Sequence, residues 1–462
     1  MNFRVSRNSD TEVSSDEFGA LMEELGPFEY SPHLAVGCSG GADSLALALL
    51  LDKWTKINGG KVTGLIVDHG IRDESGDEAI TVKNWLAEKG LQSEILRANL
   101  TRSTPSLQSV ARSERYRLMG DWCRKRGVLH LCVGHQKEDQ AETFILNILR
   151  GSGVDGLASM APVVERDSCR ILRPLLSISK CRLIAFLKSE RQKFVKDPSN
   201  EDMAFKRVRI RALMPELARE GGSIERLCKV AERMAEARSA LEDETATLLA
   251  ESVVVFPEGY ARLNPQPILK SPREVALKAL GRVLRTIGGK LYSPRGDQLI
   301  DCYEALVMSE KLGRKFGRTL CGCQMRGQDD SIYIFREKPK KVEITQIGNK
   351  WLWDGRFLIS GSPNKIPQVF LADGQNTAIF CANELKRIPI PFWQALPLLQ
   401  GLDGEVLVPN VMGAGNSSSK RSAFCDNVAF QPQRSLCAAS FKARSGAKGA
   451  CSNSLARDAA LS

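Results

Sequence analysis

Short apolar runs alternate with longer amphipathic runs over the first third of the chain. The short runs are typical of buried strands and cover residues 33–38, 62–68, 93–98 and 128–133. Each is followed by apolar positions at helical spacing, over residues 44–56, 76–89, 106–125 and 139–150. This alternation predicts an α/β fold, built from βαβ units around a doubly wound parallel sheet.

Changes in composition and patterning divide the whole chain into five segments. We predict an N-terminal helical extension (residues 1–30, with a helix over 16–25), an α/β domain (31–218), a helical domain with a basic surface (219–337), a small β-rich domain (342–412) and a tail (413–462). The tail is rich in Ser, Ala and Gly and carries seven basic residues against two acidic ones. It lacks periodicity, so we expect it to be disordered.

The loop after the first predicted strand reads Ser39, Gly40, Gly41, Ala42, Asp43, Ser44. A strand that turns through glycines into a helix gathers backbone N–H groups and the positive helix end at one point, which favours a phosphate group. The two serines add hydroxyl donors, and Asp43 can hold Mg²⁺ between phosphates. A simple tight turn is the alternative, but the flanking strand, serines and carboxylate favour a pyrophosphate-binding loop.

Other polar residues follow the predicted strands at the edge where parallel sheets bind ligands. Asp68 and His69 follow the second strand, and His135 follows the fourth. Asp139 and Glu142 lie three residues apart at a helix start, so their carboxylates can share a face over the nucleotide site. The alternative for Asp139 is that it only complements the positive end of its helix.

Arginines form two further groups. Arg112 and Arg115 lie on neighbouring turns of a predicted helix, where they can bind phosphates or pair with solvent and Glu114. Arginines at every second position cannot share one helical face, so several members of the second group must point to an anion or to solvent. This second group comprises Arg207, Arg209 and Arg211.

Charge and cysteine usage narrow the functional class. The formal net charge is +11, and the first 30 residues are acidic, so the basic excess lies in the rest of the chain. A basic body favours a polyanionic partner such as nucleic acid. No run is apolar enough to span a bilayer, and the thirteen cysteines lack Cys-x-x-Cys spacing, so we expect a soluble, cytoplasmic protein without a membrane partner. Cys321 and Cys323 have poor zinc spacing.

Taken together, these motifs resemble the tRNA(Ile)-lysidine synthetases, which are N-type PP-loop ATPases of the adenine nucleotide alpha hydrolase-like fold. The resemblance covers residues 39–44, 67–70, 111–116, 135–143, 150–157, 173–175 and 197–211, in family order. The chain departs from the family at three places. Only His135 and Asp139 match the family's His-His-x-Asp-Asp, Lys196 replaces a common Glu, and Val208 replaces a common Asn.

The resemblance implies a two-step ligation on tRNA(Ile) with a CAU anticodon. ATP adenylates the C2 oxygen of the wobble cytidine and releases pyrophosphate, and free L-lysine then displaces AMP to give lysidine. Decoding thereby changes from AUG to AUA, and the identity of the tRNA from Met to Ile. The domains after the ATPase domain would bind the tRNA.

The resemblance also assigns roles to residues. Residues 39–44 with Asp68, His69 and His135 would bind ATP, and Asp43 would hold Mg²⁺. The catalytic residues would be Asp43, Asp139 and Arg112. The substrates would contact Arg115, Glu142, Arg150, Arg207, Arg209 and Arg211.

Three alternatives are distinguishable by sequence features. A PP-loop tRNA thiolase would bring paired redox or cluster-binding cysteines. A glutamine-dependent amidotransferase would need an added ammonia-generating domain. A non-catalytic tRNA-binding protein would keep the basic domains without needing Asp43 and Asp139. The sequence leaves open the oligomeric state, with a homodimer as one possibility, and the residues that hold lysine.

Overall fold

The computed structural model describes residues 11–70, 75–98, 107–166, 168–195, 202–347, 350–360, 368–371, 392, 395–400, 406–407, 427–432, 436 and 441–442. The chain forms two compact units. The first comprises residues 1–240 and 440–462, and the second comprises residues 241–439.

The first unit is built on a mostly parallel sheet. Its strands are β1 (His33–Gly37), β2 (Lys61–Asp68), β3 (Gln92–Arg97), β4 (His130–Val133), β5 (Val163–Glu165), β6 (Arg170–Leu172) and β19 (Phe441–Lys442). They lie in the order β19-β5-β6-β4-β1-β2-β3. Strand β1 pairs in parallel with both β2 and β4, whereas β5 runs antiparallel to β6. The predicted α/β fold with a parallel sheet is confirmed.

The described helices of the first unit pack on this sheet or on one another. They are α1 (Ser15–Leu25), α2 (Ala42–Ile57), α3 (Ser75–Glu88), α4 (Leu107–Arg126), α5 (Lys137–Ile148), α6 (Val154–Leu157), α7 (Lys180–Ser189), α8 (Lys206–Arg219) and α9 (Ile224–Ser252), which continues into the second unit. Apolar side chains of α1, α2, α3 and α7 form one core. Those of α4 form a second core with β1, β2, β4 and β6. Helix α2 is apolar on nearly every side because it is buried between the sheet and its neighbours.

The second unit combines helices with antiparallel sheets. Its helices are α10 (Pro265–Lys270), α11 (Arg273–Ile287) and α12 (Gly296–Lys311). A five-stranded sheet has the order β7-β8-β11-β10-β9, from Val253–Val255, Tyr260–Leu263, Ser331–Arg336, Cys323–Gln328 and Gly317–Leu320. The segment predicted as helical therefore also contains an antiparallel sheet.

Two smaller sheets complete the second unit. One has the order β12-β13-β14-β18, from Ile344–Ile347, Lys350–Trp353, Phe357–Ser360 and Asn427–Phe430. The other has the order β15-β16-β17, from Gln368–Leu371, Pro397–Gln400 and Val406–Leu407. Strands β18 and β19 fall inside the segment that we expected to be disordered. Val428 explains part of this difference, because it is buried in an aromatic-rich core.

No helix in the described part of the chain is long and apolar enough to cross a membrane. The nine cysteines in that part of the chain all carry free thiols.

A buried ionic cluster joins two sheets of the second unit. The carboxylate of Asp354 accepts hydrogen bonds from Arg336 Nε at 3.0 Å and from Arg356 Nε at 3.0 Å. Burial lowers the pKa of Arg356 to about 10, and the charge of Asp354 opposes that shift. Removing the only described carboxylate in this cluster would leave two buried guanidinium groups without a counter-charge.

We expect Asp354→Asn to loosen the turn between β13 and β14. Loss of one partner from a buried ion pair costs about 3–5 kcal/mol, so amide hydrogens of residues 350–360 should exchange faster by a corresponding factor. Hydrogen exchange read by mass spectrometry on the full chain measures this, with Asp301→Asn on the exposed side of α12 as the control. Unchanged exchange rates for residues 350–360 would show that the Asp354 carboxylate does not stabilise this turn.

Candidate active site

The loop between β1 and α2 has a backbone that requires glycine. Gly40 has a φ of +81°, and a Cβ atom there would lie 2.6 Å from Val82 Cγ2. The Ser44 hydroxyl accepts a hydrogen bond from Ser39 N at 3.1 Å and donates one to the Gly41 carbonyl at 3.0 Å. Ser44 was predicted to donate its hydroxyl to a phosphate. In the structure, this hydroxyl forms hydrogen bonds within the loop and stabilises its conformation. The start of α2, capped by Gly41 without a side-chain hydrogen bond, presents its N–H groups to an anion.

Asp43 lies in the first turn of α2, and its Oδ1 atom is buried without a hydrogen-bond partner among the described residues. Burial raises the pKa of this carboxyl to about 6, and the negative charges of Asp139 and Glu138 add to the rise. Lys180 and Arg211 act in the opposite direction. A carboxylate held in this way gains stability from a cation, which is the property expected of a metal ligand.

The start of α5 places further carboxylates near Asp43. Asp139 Oδ2 accepts a hydrogen bond from Gln136 N at 3.1 Å in a capping box, so Asp139 does cap its helix. Its other oxygen, Oδ1, lies 3.8 Å from Arg207 Nη1. Glu138 accepts a hydrogen bond from the backbone N of Lys180 at 3.0 Å, which places the start of α7 beside the start of α5. Asp139 is therefore both a cap and a neighbour of Asp43.

Glu142 is the most deeply buried carboxylate of the site, with 1% of its side chain exposed. Its Oε1 atom accepts a hydrogen bond from Arg211 Nε at 2.8 Å, whereas Oε2 is buried with no described hydrogen-bond partner. Burial raises the pKa of Glu142 despite the opposing charge of Arg211. Arg207 donates a hydrogen bond to Thr143 Oγ1 at 3.2 Å, so α8 is attached to α5 by two arginines.

His135 is buried near a group of arginines. Burial, together with the charges of Arg173, Arg112 and Arg115, lowers the pKa of His135 to about 2. The imidazole is therefore neutral at physiological pH and suits hydrogen bonding to a ligand rather than proton donation. His69 behaves similarly, since burial and the charge of Arg115 lower its pKa.

Two predicted site residues make their hydrogen bonds elsewhere, and a third is exposed. Asp68 accepts hydrogen bonds from Gly70 N at 3.0 Å and Ser75 Oγ at 2.7 Å, so it stabilises a turn. Arg209 donates to the carbonyl groups of Met203 and Ala204, both at 2.8 Å, and holds the start of its own helix. Arg150 is exposed just beyond the end of α5. The predicted residues 196–201 lie outside the described part of the chain.

Sequence reasoning assigned no role to Lys180 or Arg173. Lys180 is the cation with the largest effect on Asp43, but a single lysine at a helix start has no distinguishing pattern. Arg173 is the cation with the largest effect on His135, and it donates a hydrogen bond to the Ala161 carbonyl at 2.7 Å. The Arg-Pro-Leu motif at residues 173–175 was a signal that could have identified it.

The donor set suits a metal ion that is bound together with a phosphate ligand. Within the described ranges, no three His, Cys, Asp or Glu side chains are arranged to hold a metal ion by themselves. Mg²⁺ commonly uses one or two carboxylates with substrate phosphates and water. The buried, unpartnered Oδ1 of Asp43 beside an anion-binding helix start fits that mode.

Comparison with known proteins gives one family match and many relatives. The model of a PP-loop domain family matches residues 11–217. A tRNA(Ile)-lysidine synthase from Wolbachia pipientis wMel is 34% identical over 353 residues, covering 75% of this chain and 81% of the relative. Another from Rhodopseudomonas palustris is 42% identical over 349 residues, covering 72% of this chain and 97% of the relative.

A solved structure is also similar. The U34-tRNA thiolase NcsA from Methanococcus maripaludis aligns at 21% identity with a TM-score of 0.41, over 47% of this chain and 78% of that chain. At this level of similarity, the alignment adds nothing to the interpretation of the site.

We expect Asp43→Asn to stabilise the ligand-free chain at neutral pH. The protonated carboxyl of Asp43 does not destabilise the folded state below about pH 4. As the pH rises towards and through its raised pKa of about 6, the folded state loses stability relative to the unfolded chain, whose carboxyl ionises more readily. An amide avoids that loss, so the variant should be more stable at pH 7.5 by on the order of 1–3 kcal/mol, and equally stable near pH 4.

Thermal denaturation of the full chain in a chelator, from pH 4 to pH 8, measures this difference. Asp77→Asn, at an exposed position in the first turn of α3, is the control and should change stability by less than about 0.5 kcal/mol. A lower thermal midpoint for Asp43→Asn than for the unsubstituted chain at pH 7.5 would show that the ionised Asp43 carboxylate does not destabilise the ligand-free fold.

Proposed function

The chain belongs to the tRNA(Ile)-lysidine synthase family, and from this membership we propose that it ligates L-lysine to C2 of the wobble cytidine of tRNA(Ile) with a CAU anticodon, using ATP. The enzyme is a ligase that modifies tRNA. One observation carries the chemical part of the proposal. Asp43 is half-buried at the start of α2, directly after a glycine loop, and its Oδ1 atom is buried without a described hydrogen-bond partner.

In the first step, the cytosine C2 oxygen attacks the α-phosphorus of ATP and pyrophosphate leaves. The loop at residues 39–44 would hold the departing pyrophosphate through its N–H groups, which are already oriented by the hydrogen bonds of Ser44. Mg²⁺ held by Asp43 would neutralise the negative charge that develops on the leaving group. Arg112 would stabilise the phosphate of the adenylated base, and neutral His135 would orient the nucleotide by hydrogen bonding.

In the second step, the amine of lysine attacks C2 of the adenylated cytosine, the C2–O bond breaks and AMP leaves. The amine must lose a proton to act as a nucleophile, so a carboxylate near it is an advantage. Glu142 suits this place, because Oε1 pairs with Arg211 while Oε2 is buried with no described hydrogen-bond partner. Asp139 provides a second negative charge on the same helix.

Cytoplasmic location and reduced thiols accord with this reaction. The described cysteines are free, and they include Cys321 and Cys323. A thiolase reaction on the same ATPase core is not favoured, since the relatives named above are lysidine synthases. A homodimer stays a proposal, and the oligomeric state can be measured by sedimentation.

We expect the purified chain to transfer radiolabelled lysine to a CAU transcript of tRNA(Ile) in the presence of ATP and Mg²⁺. A GAU transcript should accept no label, because its wobble base is not cytidine. Asp43→Asn should reduce transfer by at least about 100-fold, since it removes a charge that acts on the leaving group. Asp77→Asn is the matched control. Equal labelling of both transcripts, or no transfer of lysine to either, would overturn the proposal.

We expect Glu142→Gln to raise the KM for lysine. A glutamine keeps an acceptor for Arg211 but loses the charge that would bind the amine, which is worth about 1.5–3 kcal/mol, or roughly tenfold to 100-fold. The KM for ATP should change by less than about twofold. Glu216→Gln, at an exposed surface ion pair with Arg219, serves as the control. A rise in the KM for ATP alone would show that Glu142 acts on the nucleotide and not on lysine.

A further inference from the structure

The chain that follows α7 turns back towards the glycine loop at residues 39–44. Arg191, just after the end of α7, has a φ of +52°, which is uncommon for a residue other than glycine. Its backbone N donates a hydrogen bond to the Lys188 carbonyl at 3.1 Å, and Gln192 N donates one to the Leu187 carbonyl at 2.8 Å. These two bonds form a Schellman motif, which ends the helix and redirects the chain.

Contacts with neighbouring helices hold this turn in place. Glu190, at the end of α7, binds Lys53 of α2 at 2.5 Å. The Lys89 side chain, just after α3, donates a hydrogen bond to the Glu190 carbonyl at 2.7 Å. Phe194 packs against the core that α1, α2, α3 and α7 share. The turn is therefore attached to α2 and to the end of α3.

The segment after the turn makes a backbone hydrogen bond with the glycine loop. Val195 N donates to the Gly40 carbonyl at 2.9 Å. The Gly41 carbonyl, by contrast, accepts hydrogen bonds from Leu45 N at 3.1 Å and from Ser44 Oγ at 3.0 Å. The second carbonyl of the Gly-Gly pair is thus bound locally, whereas the first is bound by a residue far along the chain.

Apolar side chains also close on Gly40. A Cβ atom at position 40 would lie 2.6 Å from Val82 Cγ2 and 3.3 Å from Val195 Cγ2. The side of Gly40 on which a side chain would stand is therefore filled by α3 and by the segment after α7. A phosphate group must approach the loop from a different side.

The hydrogen bond from Val195 fixes the direction of the peptide group between Gly40 and Gly41. In a trans peptide, the carbonyl oxygen and the following N–H point in opposite directions. Because the Gly40 oxygen is bound to Val195, the Gly41 N–H points away from residue 195. Rotation of this peptide, which the wide φ and ψ range of glycine permits, would replace the N–H by a carbonyl oxygen that repels phosphate.

We propose that Val195 is a positioning residue of the nucleotide site, whose backbone N–H keeps the Gly41 N–H directed at the departing pyrophosphate. A donor that is oriented before the ligand arrives stabilises developing charge without a cost of reorganisation. The inference rests on the proposed function for the identity of the ligand as the pyrophosphate of ATP. Val195 itself lies outside every motif of the sequence.

Replacement of the Val195 amide by an ester tests this inference with little change in shape. The ester, introduced with the α-hydroxy analogue of valine, lacks the N–H and keeps the side chain. It should weaken binding of radiolabelled pyrophosphate with Mg²⁺ by about threefold to tenfold, because one neutral hydrogen bond is lost. Equilibrium dialysis of the full chain, without tRNA or lysine, measures this affinity. Val195→Pro also lacks the N–H and should weaken binding at least as much.

Two controls separate the N–H from other properties of this segment. Val195→Ala keeps the N–H and shortens the side chain, so its affinity for Mg·pyrophosphate should stay within about twofold of that of the unsubstituted chain. The affinity of the ester-containing chain for the CAU transcript of tRNA(Ile) should also stay within about twofold, since the tested hydrogen bond acts on phosphate at the glycine loop.

Three results would overturn the inference. Equal affinity of the ester-containing and unsubstituted chains for Mg·pyrophosphate would show that the Val195 N–H only packs its segment. A loss on Val195→Ala as large as that caused by the ester would assign the effect to the side chain. Equal losses of affinity for pyrophosphate and for the transcript would show a general loss of structure.

The measurement also separates this inference from the proposed function. Pyrophosphate binding requires neither lysine nor tRNA. A chain that transfers no lysine, but whose ester-containing form loses affinity for Mg·pyrophosphate as expected, would refute the proposed function and support the positioning role of Val195.

Discussion

The geometry of the candidate active site depends on one close backbone contact, between Gly134 at the end of β4 and Asp43 at the start of α2. A Cβ atom at position 134 would lie 2.9 Å from the Asp43 carbonyl oxygen, so only glycine lets the strand end approach the helix start this closely. Asp43 lies at that helix start, and Asp139 and Glu138 at the start of α5 add their negative charges to the effect of burial on its carboxyl. The rise of the pKa of Asp43 to about 6 is a cost of the ligand-free state that a bound cation would relieve.

Charge in the first unit is separated into two neighbouring groups with different chemistry. Asp43, Asp139 and Glu142 form an acidic group, in which Glu142 is already paired with Arg211. Arg112, Arg115 and Arg166 form a basic group around the ring of Tyr116. Under the proposed reaction, the acidic group would hold the metal and the amine, and the basic group would lie near phosphate.

Much of the first unit was predictable from the sequence, because its signals are local. The change of period between strands and helices located β1–β4 and α2–α5 to within about three residues, and the Gly-Gly loop predicted a phosphate site at the start of α2. Roles that depend on tertiary contacts were not predictable. Arg209 caps its own helix and Asp68 stabilises a turn, although their types and positions suited ligand binding. Lys180 joins the site only because α7 begins beside the start of α5.

The central claim is that the nucleotide site activates an RNA base rather than the amino acid. Isotope exchange between pyrophosphate and ATP tests it most directly, since exchange reports which substrate is adenylated. We predict exchange when the CAU transcript and Mg²⁺ are present without lysine, and negligible exchange with lysine alone. Exchange that requires lysine and proceeds without tRNA would contradict it, because the adenylated species would then be the amino acid.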